Sequence, residues 1–234
     1  MRYLALACDY DGTLATDGRV GNKTLAALGR LRTSGRKLLL VTGRELDDLC
    51  SVFPHSQLFD WIVAENGALL YQPSRRLEKV LGDRPPEQFI RALRQRGVEP
   101  LSTGRVIVAT RQPHETAVLQ VIAELGLELQ IIFNKGAVMV LPPGVNKATG
   151  LAAALRELNL SAARIVGVGD AENDHAFLSL CGCAVAVANA LPAVKERATF
   201  VTRADHGAGV VEVVDELIAS DLSREEDRPT RHSK

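Results

Sequence analysis

The sequence predicts an α/β fold, a Rossmann-like parallel sheet with helices on both faces plus a small inserted α+β cap domain. In both outer parts of the chain, strands that are apolar throughout alternate with helical segments, which is typical of parallel strands buried on both faces. Between residues 82 and 141 the pattern changes to short strands joined by tight turns. After residue 141 the first pattern resumes, which indicates an insertion rather than a second domain in series.

Residues 1–81 are predicted to form the first part of the core domain. Each strand here is a short apolar run, and the first helix has leucines at helical spacing before a closing glycine. The predicted elements are a strand at 3–7, a helix at 22–34, a strand at 37–41, a short helix at 45–53 and a strand at 61–64.

Residues 82–141 are predicted to form the cap domain. Two prolines open its first helix, and Asn134-Lys135-Gly136 has the composition of a hairpin turn. The predicted elements are a helix at 85–96, a strand at 105–110, a helix at 113–125 and strands at 129–133 and 137–141.

Residues 142–220 are predicted to complete the core domain, with Pro142-Pro143-Gly144 as the return hinge. Asn189 is the expected N-cap of a short helix after the second strand of this part. The other predicted elements are a helix at 147–159, strands at 164–168, 183–187 and 200–202, and a helix at 207–218. Residues 221–234 are polar, charged and without periodicity, and we expect a disordered tail there.

The composition of the chain disfavours two classes of binding partner. The chain has 28 basic and 28 acidic residues and no basic stripe, which disfavours nucleic acid and anionic membrane surfaces. No apolar stretch is long enough to cross a bilayer, and the start does not read as a signal peptide. We expect a cytoplasmic protein, a monomer or small homo-oligomer, whose four cysteines are reduced thiols rather than a zinc site.

Two carboxylates, Asp9 and Asp11, stand where the first buried strand ends, and Gly12-Thr13 turns the chain away. Like charges held this close repel, so a functional site needs a cation or a shared proton to accommodate them. One Asp could attack phosphorus while the other moves protons. Taken alone, the pair could equally be a solvated Asp-Gly turn.

Further polar clusters stand in equivalent places along the chain. In open parallel sheets, ligands collect at the carboxyl ends of the strands, so folding would bring these clusters together. They comprise a nucleophile, a proton donor, phosphate-binding donors, a lysine and metal-binding carboxylates, a complete set for moving a phosphoryl group. The clusters are Asp9/Asp11, Thr42-Gly43, Lys147 and Asp170/Asp174.

The run from Asp9 to Leu14, D-Y-D-G-T-L, resembles the first motif of the phosphatases of the haloacid dehalogenase superfamily. Thr42, Lys147 and the Gly169-Asp170-x-x-x-Asp174 run resemble its second, third and fourth motifs, in that order. The insertion between the second and third motifs, preceded by Glu65-Asn66-Gly67-Ala68, is similar to the Cof-like branch. That branch includes sucrose-phosphate, mannosyl-3-phosphoglycerate and archaeal-type phosphoglycolate phosphatases.

The resemblance implies a role for each motif residue. Asp9 would be the nucleophile, and Asp11 would be the general acid and base. Lys147 would balance charge on Asp9 and on the phosphate, which Thr42, Gly43 and, with less weight, Asn173 would also bind. The implied cofactor is Mg2+, held by Asp9, Asp11, Asp170 and Asp174.

The resemblance does not identify which residues at the cap and the mouth of the site contact the substrate. Residues near the predicted mouth are candidate substrate contacts: Arg44, Glu65, Asn66, Asn134 and Lys135. Met139 stands where Cof-like members often carry an acidic residue, which weakens inference of a sugar substrate.

The predicted function is Mg2+-dependent hydrolysis of a small phosphomonoester, a sugar phosphate, phosphoglycolate or similar, through an aspartyl-phosphate. A phosphomutase is the nearest alternative, because the same chemistry can return the phosphoryl group to a sugar. A catalytically idle phosphate-binding or regulatory module is the alternative from a different class.

Overall fold

The structure is a computed structural model that describes residues 1–223, and it contains two sheets. The strands are β1 (Ala5–Asp9), β2 (Lys37–Val41), β3 (Trp61–Ala64), β4 (Leu69–Gln72), β5 (Leu77–Val80), β6 (Ser102–Thr103), β7 (Val108–Arg111), β8 (Gln130–Asn134), β9 (Ala137–Leu141), β10 (Ile165–Gly169), β11 (Cys183–Ala186) and β12 (Phe200–Val201). The helices are α1 (Asn22–Thr33), α2 (Leu46–Val52), α3 (Glu87–Gln95), α4 (Glu115–Glu124), α5 (Lys147–Leu158), α6 (His175–Leu180), α7 (Pro192–Arg197) and α8 (His206–Ser220).

The larger sheet has the order β12-β11-β10-β1-β2-β3-β4-β5. The strands from β12 to β3 are parallel, and β4 and β5 add an antiparallel edge. β1 and β2 are apolar at nearly every position because helices cover both faces of the sheet, so their side chains have no solvent-facing side. The predicted fold class is confirmed, although β4 and β5 were not foreseen.

The smaller sheet is antiparallel, in the order β6-β7-β9-β8. Its apolar residues alternate between two faces. One face packs with α3 and α4 in a separate cluster that includes Phe89, Val108 and Val140. The other contributes Met139 to a second cluster, which it shares with Ala68 of the core. This unit is a cap in contact with the core, while its exact boundaries at 82 and 141 remain a prediction.

The cap hairpin forms as the sequence predicts. Asn134 pairs with Ala137, and Lys135 and Gly136 between them have φ values of 46° and 82°. Positive φ at both central residues is the geometry that matches the twist of two antiparallel strands. The predicted strand at 105–110 is wrong at its start, because β7 begins at Val108 and residues 105–107 form a loop.

The predicted disordered tail is wrong at its first residues. Leu222 is fully buried in the core, and the carboxylate of Asp221 accepts a hydrogen bond from Arg36 at 3.0 Å. Charged composition suggested solvent here, but the two residues end α8 against the body of the core. Residues 224–234 lie outside the described part of the chain. Among residues 1–223, no helix has the length and apolarity required to span a bilayer.

Candidate active site

The catalytic candidates meet at the carboxyl ends of β1 and β10, which are neighbours in the parallel sheet. Lys147, the first residue of α5, places its Nζ 2.5 Å from Asp9 Oδ1 and 2.6 Å from Asp174 Oδ1. All three side chains are almost completely buried. A buried ammonium between two carboxylates is strongly constrained, because each group depends on the others for neutralisation.

The local sequence explains how Lys147 reaches this position. Asn146 caps α5 through hydrogen bonds from the amides of Ala148 and Thr149 to its side chain. Thr149 Oγ1 in turn accepts from the amide of Asn146, which completes a capping box. This cap fixes the direction in which α5 starts, and hence the position of Lys147.

The cluster of Lys147, Asp9 and Asp174 contains more acidic than basic groups. Burial, followed by the charge of Asp174, raises the pKa of Asp9, while Lys147 opposes the shift. Burial alone would lower the pKa of Lys147, but Asp174 and Asp9 outweigh it and hold that pKa above its usual range. We therefore treat Lys147 as a cation, and we attribute the raised pKa of Asp9 first to its burial and then to the negative charge of Asp174, which Lys147 offsets only in part.

Asp170 and Asp174 form the second wall of the site. Asp174 Oδ2 accepts the amides of Asp170 at 2.9 Å and Ala171 at 3.0 Å, which fixes the turn after β10. Thr13 donates to Asp170 Oδ1 at 3.0 Å. One carboxylate oxygen from each of Asp9, Asp170 and Asp174 lies within 4.8 Å of the others.

This donor set fits a divalent metal ion. Three buried carboxylates with surplus negative charge are an all-oxygen environment of the kind that hard cations bind. The carbonyl of Asp11 adjoins the same place, because Lys135 Nζ lies 3.2 Å from that carbonyl and 2.8 Å from Asp170 Oδ2. Gly12 is required beside it, since at φ 92° a Cβ there would stand 2.4 Å from Asp170 Oδ2.

Asp11 is held apart from the carboxylate cluster. Its side chain binds the guanidinium of Arg44, with Nε to Oδ2 at 2.7 Å and Nη2 to Oδ1 at 2.8 Å. Asp11 is partly exposed, whereas Asp9 is buried. The two predicted catalytic carboxylates therefore have different environments, which is the arrangement that lets one attack and the other carry a proton.

Thr42 and Gly43 follow β2 at the same edge of the sheet. Thr42 is buried, and its Oγ1 accepts the amide of Arg44 at 3.1 Å. Asn173 donates to Asn66 Oδ1 at 3.1 Å beside Gly43. Thr42 is not the N-cap of a helix, because α2 starts at Leu46 with Glu45 as its N-cap.

The other predicted substrate contacts differ in their surroundings. Lys135 reaches the acidic cluster from the cap hairpin, and its side chain is 48% exposed. Asn134 precedes it and has a buried Oδ1 without a hydrogen-bond partner in the described structure. Glu65 is completely buried, and its carboxylate binds amides of the cap rather than standing free at the mouth.

Sequence reasoning missed two residues that hold the first motif. Asn189 Nδ2 donates to the carbonyl of Gly12 at 2.8 Å, and the Nδ1 of His206 lies 2.8 Å from the same carbonyl. The prediction that Asn189 caps α7 is wrong, since Leu191 occupies the N-cap position. Its place just beyond β11, at the carboxyl edge of the sheet, was the signal that could have identified Asn189.

A family model described as haloacid dehalogenase-like hydrolase matches residues 6–109 and 131–214. Phosphoglycolate phosphatase 2 of Saccharolobus solfataricus is 31% identical over 96% of this chain and 96% of its own length. A phosphoglycolate phosphatase of Methanothermobacter thermautotrophicus is 32% identical over 90% of this chain and 96% of its own length. The chain belongs to the haloacid dehalogenase-like hydrolase family, and it is an enzyme of the phosphatase class.

Solved structures agree with this fold. A haloacid dehalogenase-like hydrolase from Bacteroides thetaiotaomicron superimposes with a TM-score of 0.75 at 17% identity. The match covers 92% of this chain and 99% of that one. The similarity therefore includes the cap as well as the core sheet.

Proposed function

We propose that the protein hydrolyses phosphoglycolate, or a phosphomonoester of similar size that carries a carboxylate, with Mg2+ as its metal ion. The observation that carries the phosphatase chemistry is the buried contact of Lys147 with both Asp9 and Asp174. The names of the relatives that match along nearly their whole length support the substrate.

The chemistry has two displacements. In the first, a carboxylate oxygen of Asp9 forms a bond to phosphorus, the bond from phosphorus to the ester oxygen breaks, and Asp11 protonates the departing alkoxide. In the second, Asp11 takes a proton from a water molecule whose oxygen attacks phosphorus, and the bond to Asp9 breaks to release phosphate. Lys147 keeps Asp9 oriented and balances negative charge in both steps.

The metal ion has a defined set of ligands in this proposal. The carboxylates of Asp9, Asp170 and Asp174 and the carbonyl of Asp11 hold Mg2+, which supplies neutralisation of charge between the phosphate and these carboxylates. Thr42 and Gly43 bind phosphoryl oxygens, with Asn173 at their side. Their positions after β2 and β10 support this assignment.

Two cations support a substrate with a second anionic group. Arg44 and Lys135 approach Asp11 from the core and from the cap, respectively. Asn134 and Asn173 each have a buried Oδ1 without a partner in the described structure, and these oxygens can accept a hydrogen bond from a hydroxyl group or a water molecule but cannot bind a carboxylate. A substrate carboxylate close to the phosphate would bind near the positive charges of Arg44 and Lys135, with the amide NH2 groups of Asn66 and Asn134 as further donors.

The test is phosphate release from a panel of phosphomonoesters, with and without Mg2+ after chelation. The panel contains phosphoglycolate, hexose and disaccharide phosphates, mannosyl-3-phosphoglycerate and nucleoside monophosphates. We expect metal-dependent release that is fastest with phosphoglycolate, and a loss of roughly 10³-fold or more in Asp9→Asn. Retained turnover in Asp9→Asn would refute the nucleophile, and preference for a hexose phosphate would refute the substrate. Analysis for isomerised sugar phosphate separates hydrolysis from mutase activity.

A further inference from the structure

The turn between β3 and β4 has an unusual backbone. Glu65, Asn66 and Gly67 have φ values of 51°, 53° and 106°, and all three residues are buried. Left-handed conformations are uncommon in residues other than glycine, and they persist where the surroundings determine them. The contacts of this turn identify those surroundings.

The carboxylate of Glu65 binds three consecutive amides of the cap. Oε1 accepts from Arg105 N at 2.8 Å, and Oε2 accepts from Val106 N at 2.8 Å and Ile107 N at 3.0 Å. Glu65 has no exposed surface. Hydrogen bonds to a charged acceptor are stronger than neutral ones, and burial makes their loss costly.

The same turn is bonded to the phosphate-binding side of the core. The amide of Glu65 donates to Arg44 O at 2.9 Å, and the amide of Asn66 donates to Thr42 O at 3.0 Å. Gly67 lies against the start of α5, since a Cβ on Gly67 would stand 1.9 Å from Asn146 O. One turn therefore connects the cap to the second and third motifs.

We propose that Glu65 is a positioning residue that holds the cap over the catalytic cluster and fixes its position relative to the loop from Thr42 to Arg44, which contains the proposed phosphate-binding residues. The other polar contacts of this cap segment are more exposed: the Arg105 side chain pairs with Asp47 and with Glu78, at side-chain exposures of 76% and 36% for the two acids. Exposed ion pairs contribute little to stability, so the buried carboxylate is the principal polar attachment here, beside the apolar contact of Val106 and Ile107 with Ala68. At the far end of the cap, Lys135 then meets the acidic cluster at a fixed distance.

Amide hydrogen exchange tests the attachment directly in the full-length, substrate-free protein. Glu65→Gln keeps the size of the side chain but replaces one acceptor oxygen with a donor. We expect exchange at the amides of Val106 and Ile107 to accelerate about tenfold or more. Glu78→Gln is the matched control, because it removes a charge beside Arg105 without touching the buried bonds, and it should leave both amides protected. Unchanged protection in Glu65→Gln would overturn the proposal.

Gly104→Ala provides a second test that does not alter the acid. The three nearest atoms to a Cβ at Gly104 all belong to Glu65, with Oε1 at 2.5 Å, and the φ of Gly104 lies outside the left-handed region. Gly104→Ala should therefore weaken the same amide bonds, with similar loss of protection. In the double variant Glu65→Ala/Gly104→Ala the collision is absent, so the two effects should be clearly less than additive. Additive effects would contradict a direct contact.

The kinetic consequence rests on the proposed function. We expect Glu65→Gln to raise KM for phosphoglycolate about tenfold with a smaller change in kcat, because the catalytic residues stay in place while the cap contacts loosen. A loss confined to kcat would argue against a cap-positioning role. If the wild-type protein shows no turnover, the proposed function fails, whereas the exchange measurements still decide the role of Glu65.

Discussion

Arg44 binds Asp11 at two points, with Nε–Oδ2 at 2.7 Å and Nη2–Oδ1 at 2.8 Å. Its third nitrogen donates to Asp48 at 2.7 Å, and the guanidinium carbon lies 5.5 Å from the centre of the Tyr10 ring. A planar fork held on several sides is a rigid partner. Arg44 thereby defines where the proposed acid and base stands.

We predict that Arg44→Lys lowers kcat/KM for phosphoglycolate by roughly 10–100-fold. Lysine retains the positive charge but cannot form the two-point contact, and small displacements of a reacting group have effects of about this size. Steady-state kinetics measure the effect, with Asp48→Asn as the control that alters only the outer contact of Arg44. If Arg44→Lys had the kcat/KM of the wild type, a positive charge alone would be enough to position Asp11, and the two-point contact would not be needed.

Lys135 donates to Asp170 Oδ2 and to the carbonyl of Asp11, two oxygens that we assign to the metal ion. Its Nζ lies 2.8 Å from Asp170 Oδ2 and 3.2 Å from the Asp11 carbonyl oxygen. At such short range the ammonium group repels a divalent cation bound by the same oxygens. We predict that Lys135→Met binds Mg2+ several-fold more tightly in the absence of substrate, while KM for phosphoglycolate rises. Isothermal titration with Mg2+ measures the first effect. Lys79→Met, which alters an exposed pair with Glu157, is the control and should change neither quantity.

The sequence predicts the structure best where the residue types of a short segment are sufficient to determine its conformation or burial. Apolar runs such as 37–41 are correctly predicted as buried strands, because no amphipathic alternation is possible in a sheet covered on both faces. The meeting of Asp9, Asp170 and Asp174 in space follows from the same reasoning, since parallel strands end at one edge of the sheet. The hairpin at Lys135-Gly136 follows from its turn residues.

The sequence is least informative where distant segments decide the outcome. The predicted strand at 105–110 rests on its central apolar residues, yet the amides of residues 105–107 donate to Glu65, some 40 positions away in the chain. β5 was missed because it is an exposed edge strand without an apolar face. The sequence predicts the position of Glu65 near the mouth of the site, and hence a substrate contact, but it does not predict that cap amides are the partners of this carboxylate.

Asn189 is another residue whose partner lies far away in sequence. Its Nδ2 donates to Gly12 O at 2.8 Å, and its Oδ1 accepts the amide of His206 at 2.7 Å. We predict that Asn189→Ala lowers kcat about tenfold, because the Asp11–Thr13 turn loses one of its anchors, with an accompanying loss of stability of about 1 kcal/mol. Kinetics and urea unfolding measure the two effects. An unchanged kcat in a destabilised variant would show that the anchor is purely structural.

Asp221 links the end of α8 to the first strand region and gives a prediction with a defined pH dependence. Its carboxylate accepts hydrogen bonds from Arg36 and from the amides of Arg2 and Tyr3. Burial alone would raise the pKa of Asp221, but these hydrogen bonds outweigh it and lower the pKa. A carboxylate whose pKa is lower in the folded than in the unfolded state stabilises the protein above the unfolded-state value, and this contribution disappears as pH falls through the folded-state value.

We therefore predict that Asp221→Asn reduces the free energy of unfolding by about 1 kcal/mol at pH 7. The difference from wild type should shrink as the pH is lowered below the ordinary Asp value of about 3.9. Urea unfolding at a series of pH values measures this difference. Asp215→Asn is the control, since Asp215 of α8 forms an exposed ion pair with Arg30 of α1. A difference that is independent of pH would show that Asp221 acts through shape and hydrogen bonding rather than through its charge.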